Sequence, residues 1–111
     1  MEFGAILNEI KEQLTSLFGE KYENFGSESK KDIETFLAAS KEKLERWTLL
    51  LATGNLTLDD FQWLVESQKD LVTLKALERA GVSKISLGHF KNNVIQTIFD
   101  VVATKVIPDN T

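Results

Sequence analysis

Residues 57–81, TLDDFQWLVESQKDLVTLKALERAG, set how many rods this chain is built from. The stretch opens on Thr57, a hydroxyl that can cap a helix, followed closely by Asp59 and Asp60, where a helix dipole favours negative charge. No proline or glycine interrupts it before Gly81, which can supply the left-handed residue after a helix end. The spacing predicts one helix over 58–80. At about 100° per residue, Phe61, Trp63, Leu64, Val65, Leu71, Val72 and Leu74 cover about 200° of its circumference, roughly twice the stripe a surface helix needs. Leu71 falls on the inner face of such a rod.

The chain on either side follows the same rhythm. Downstream, a helix starting between Ser83 and Ser86 carries Phe90, Val94, Ile95, Ile98, Phe99, Val101, Val102 and Val106 until Pro108 stops it. Its apolar residues spread over about half the circumference and do not alternate as a strand's would. Upstream, Ile33, Leu37, Ser40, Leu44, Trp47 and Leu51 recur in steps of four and three up to Gly54, with Ser29 and Asp32 as a variant capping box at the start. Earlier still, Phe3, Leu7, Ile10, Leu14 and Leu17 repeat the pattern to Gly19, which weakens or ends the helix, and Tyr22 and Phe25 are expected to fold back as plugs in the connection. The expectation is an all-α, up-down-up-down antiparallel four-helix bundle with helices about 3–18, 29–53, 58–80 and 86–107, forming a single helical domain over 1–111. Turning at Asn55 sets Trp47 opposite Trp63, and Leu37 opposite Thr73 or Leu74.

Composition bounds the function. At 111 residues the chain can bury a core, and with no cysteine it has neither disulfides nor thiolate chemistry. Seventeen acids against 13 bases, mixed along the chain, offer no general attraction to phosphate backbones or anionic lipid, so nucleic acid and membrane are not expected partners. The acidic start lacks the features of a secretory signal, and the longest apolar run, Leu49–Ala52, is far too short to span a bilayer; a cytoplasmic location is expected.

Catalytic and cofactor chemistry find no footing. A single histidine, His89, and the absence of Glu-x-x-His exclude a carboxylate-bridged di-iron bundle. Ser86 lies one turn before His89 but lacks an orienting third group, and Asp59 and Asp60 point about 100° apart on a helix. The glycines are too scattered for a phosphate loop. No enzyme activity, metal or cofactor is expected.

One segment has a local likeness. VTLKALERAGVSKISLGHFKNN, over 72–93, resembles the helix-turn-helix of bacterial repressors at Ala80, Gly81, Val82, Ser83 and Asn92. It departs where packing matters. Leu77 stands where a small alanine is usual, Arg79 and Lys91 replace aliphatic residues, Gly88 weakens the second helix, and the preceding helix is expected to run unbroken from 58. Gly81 is then a helix terminus and the segment a corner between two rods.

Two wide apolar faces remain. Either both helices sit centrally in one chain under cover of the first and second, or part of their surface meets another copy through a twofold contact. The second arrangement defines a candidate interface of Phe61, Trp63, Leu64, Gln68, Leu71, Leu74, Lys75, Phe99 and Val102. Gln68 and Lys75, near the middle of the arc, can orient a polar group or set register; alternatively Gln68 pairs within the fold and Lys75 reaches water or Glu34. The expected function is a non-enzymatic interaction or structural protein whose partner is itself, as a homodimer or higher, or another protein. The alternatives are a DNA-binding regulator using residues 72–92 and a bundle that holds a small apolar ligand.

Overall fold

The computed structural model describes residues 2–21 and 26–106, the side chains of 21–29 excepted. Helices α1 (Phe3–Lys21) and α2 (Gly26–Ala52) come first, then α3 (Leu58–Glu66), a 3-10 turn (Lys69–Leu71), α4 (Lys75–Arg79) and α5 (Lys84–Val106). The described residues are all-helical apart from turns and short extended pieces, as the periodicity predicts. They include five α-helices rather than four.

The local signals set most helix ends. The Thr57 hydroxyl accepts a hydrogen bond from the Asp60 N–H at 3.1 Å, capping α3. Gly54 and Gly81 hold φ of 80° and 86°, the left-handed geometry a helix exit needs. Ser83 caps α5 by accepting from the Ser86 N–H at 3.2 Å. At two places the signals mislead. α1 runs through Gly19 to Lys21, and α2 starts at Gly26, before Ser29. The plugs expected at Tyr22 and Phe25, and the stop at Pro108, lie outside the described residues.

The single helix expected over 58–80 is the main correction. On a straight rod Phe61, Val65, Gln68, Val72 and Ala76 share one stripe, while Leu74 and Leu77 fall about 150° away. The chain instead breaks after Glu66. The Ser67 hydroxyl donates to the Leu64 carbonyl, and the Gln68, Leu71 and Val72 N–H groups bond three residues back in the tighter 3-10 manner. Val72 then takes an extended conformation, with φ −73° and ψ 105°. α4 restarts with its Ala76 N–H donating to the Asp32 carboxylate of α2 at 3.1 Å. Asp32, expected to help start α2, therefore caps a helix 44 residues later. The break turns Leu74 and Leu77 inward, where both are buried together with Phe61, Val65, Val72 and Ala76.

One apolar cluster joins all the described helices. It takes Ile10, Leu14 and Phe18 from α1, Ile33, Phe36, Leu37, Leu44 and Leu51 from α2, and Leu87, Phe90, Val94, Ile98 and Val102 from α5. α5 is central, touching α1, α2, α3 and the 3-10 turn. Phe18 meets Phe90 edge-on at 4.5 Å between ring centres, and Phe61 tilts against Phe99 at 6.1 Å. Leu74 borders a small void with Ile33 and Phe36, about one helical turn from the expected Leu37.

A candidate interaction face on the third helix

The nine residues of the expected interface are divided by the fold. Phe61, Gln68, Leu74 and Val102 lie inside the chain's own core. Leu64 and Phe99 are half-buried, and Phe99 leans on Phe61. Trp63, Leu71 and Lys75 face solvent. Leu71, placed by periodicity on the inner face, sits in the 3-10 turn and is 44% exposed. The wide apolar arc is thus mostly consumed by α1, α2 and α5.

What remains outside is specific. Trp63 is 71% exposed, pointing away from Phe61 and Val65 on the far side of α3. Asp59 precedes it by four residues, Asp60 by three, and Glu66 and Ser67 follow by three and four, so all four border its side of the helix. Each is exposed. Among the described residues the one ion pair lies elsewhere, Lys11 to Glu34 at 3.3 Å, so these carboxylates face water. The same pair shows that Glu34 is held by α1 rather than by Lys75.

Two further exposed apolar side chains went unnoticed in the sequence, Leu49 on α2, 54% exposed, and Ile85. Ile85, in the first turn of α5, is 76% exposed beside Lys84, with Arg79 and Lys75 just before it on α4. Arg79 borders a surface hollow with Lys31 and the capping Asp32. One signal could have found Ile85: it lies off the stripe formed by Leu87, Phe90, Val94 and Ile98, on the opposite side of α5.

Among the described residues, three buried polar atoms have no hydrogen-bond partner: Ser40 Oγ, Thr48 Oγ1 and Gln68 Oε1. The Gln68 amide nitrogen donates to the Ser67 hydroxyl at 3.2 Å, leaving its oxygen alone in the core. The apolar void beside Phe18, Ile33 and Leu74 amounts to about 10 Å³, room for a water at most. The larger hollow between α1 and α5 is rimmed by Glu9, Gln13, Asp100 and Lys105. No group of three or more acids and histidines among the described residues is placed to hold a metal ion. No described helix is long and apolar enough to cross a membrane. Comparison with known proteins found no family model, no curated protein and no solved structure that matches the chain.

Proposed function

We propose that this chain is a small non-enzymatic interaction protein that associates with copies of itself, and that the contact is the outward face of α3 with Trp63 at its centre. One observation supports this above the rest: a tryptophan 71% exposed on a helix whose other aromatic, Phe61, is fully buried. Single exposed leucines are ordinary, but tryptophan is enriched at the energetic centres of protein interfaces. The expected contact shrinks accordingly, from nine residues to Trp63 on α3, with Leu71 exposed on the 3-10 turn that follows.

The framework for such a face is a bundle in which α1 packs antiparallel to both α2 and α5, and α3 and α4 together fill the place of a fourth helix. Its supports are Lys11 paired with Glu34 while Leu7 and Lys41 border the same groove, and Phe18 edge-on to Phe90 while Glu9 and Lys105 border another.

Light scattering after size exclusion tests the proposal. The wild-type chain is expected above monomer mass at tens of micromolar, and Trp63→Ala at monomer mass. A wild-type monomer, or a variant of unchanged mass, overturns it.

A second reading has its own support. α4 is a separate helix joined to α5 across residues 80–83, so the unbroken preceding rod that argued against a helix-turn-helix is absent. The outward stripe of α5, Ile85, His89, Asn92 and Gln96, holds no lysine or arginine for phosphate, which places duplex binding second. A salt-sensitive gel shift is its expectation, and no shift at low salt removes it.

A further inference from the structure

We infer that the occupant of the Trp63 face is the α4–α5 corner of a second copy of the chain. This rests on the self-association proposed above and goes further by naming the complementary surface. The two patches match in chemistry. On α3, Trp63 projects among Asp59, Asp60 and Glu66. At the corner, Ile85 projects beside Lys84, with Lys75 and Arg79 on α4 and Lys31 bordering the same hollow as Arg79. Glu78 is the one exposed carboxylate on α4. A protein that is net acidic thus carries Lys75, Arg79 and Lys84 against the single carboxylate Glu78 along α4 and the first residue of α5, and Asp59, Asp60 and Glu66 within one turn of an exposed tryptophan.

The patches lie apart on one molecule. Phe61 tilts against Phe99 and Glu66 borders a hollow with Asn92, Ile95 and Gln96, so α3 lies along α5 from Asn92 onward, seven or more residues beyond Ile85. At helical rise this is about 10 Å or more, so the two patches occupy different stretches of α5. Between copies, the indole face can take a guanidinium or ammonium from the corner while Ile85 covers its edge. The carboxylates pair with the remaining cations at the rim. Opposite charge steers the encounter, and like charge rejects the pairing of Trp63 face with Trp63 face.

Charge-swap mixing tests the assignment by light scattering and analytical ultracentrifugation on the full chain. One variant carries Asp59→Lys and Glu66→Lys; the other carries Arg79→Glu and Lys84→Glu. All four positions are exposed, and circular dichroism checks that each variant stays helical. Each variant alone is expected to self-associate at least about tenfold more weakly than wild type. Their equimolar mixture is expected to regain association, because the intact corner of the first meets the intact α3 face of the second. Independently of any variant, wild-type association is expected to weaken as salt rises from about 0.05 to about 0.5 M. A wild-type chain that stays monomeric overturns self-association itself. An oligomeric wild type that ignores salt, or survives either double variant, or variants that fail to recover on mixing, overturns only the assignment of the corner.

Discussion

α2 and the stretch from Leu58 to Arg79 have comparable apolar content, yet α2 is one helix of 27 residues and the other divides into α3, a 3-10 turn, extended residues and α4. The difference lies in phase. In α2, Ile33, Leu37, Ser40, Leu44, Thr48 and Leu51 all point the same way, so a straight helix buries every one. In 58–79 a straight helix can bury Phe61, Val65, Val72 and Ala76 or else Leu74 and Leu77, but one neighbouring layer cannot cover both sets. Burying two more leucines is worth about 3 to 6 kcal/mol. The few helical hydrogen bonds lost are each worth about 0.5 to 1.5 kcal/mol, and 3-10 bonds and the Asp32 cap replace several of them. Breaking the helix wins. An over-wide apolar arc signals a kinked element as readily as a second partner.

The largest effect that could break this comparison is at Leu77. Leu77→Ala is expected to destabilise by about 2 to 5 kcal/mol in urea melts, matching Leu44→Ala in α2. On an unbroken rod Leu77 would lie opposite Phe61, and a cost under about 1 kcal/mol would restore that picture.

Asp32→Ala comes next. It removes the acceptor for the Ala76 N–H and is expected to cost about 1 kcal/mol, roughly the worth of a helix cap. A continuous helix would have no free N–H at residue 76, so no loss of stability would speak for the rod.

Leu71→Asp is expected to change stability by less than about 0.5 kcal/mol, since the side chain already stands in water at the 3-10 turn. Unfolding by this substitution would return Leu71 to an inner face. Smallest of all is a local difference: amides of residues 67–74 are expected to exchange with solvent faster than those of 40–48 in α2, because fewer of them sit in a regular ladder. Equal protection in the two segments would count against the break.

Half of the candidate face was legible in advance. Trp63 entered the candidate interface as one residue of the wide apolar arc, and its acidic neighbours at three and four residues, read only as acids at a helix start, were equally legible. Ile85 was passed over, although its place opposite the stripe of Leu87, Phe90, Val94 and Ile98 follows from the spacing alone. Phe61, Gln68, Leu74 and Val102 belong to an apolar arc on paper and to the chain's own core in the fold.

The sequence by itself determined the helical class, the two glycine exits at Gly54 and Gly81 and the cap at Thr57, and bounded the start of α5 between Ser83 and Ser86. Each depends on atoms within about four residues of one another. Only the tertiary structure decided where the third rod breaks, that Asp32 serves α4, and which side of α3 meets water. Those outcomes depend on contacts between residues distant in the chain, and whether Leu77 or Trp63 turns inward is settled by where α1, α2 and α5 leave room.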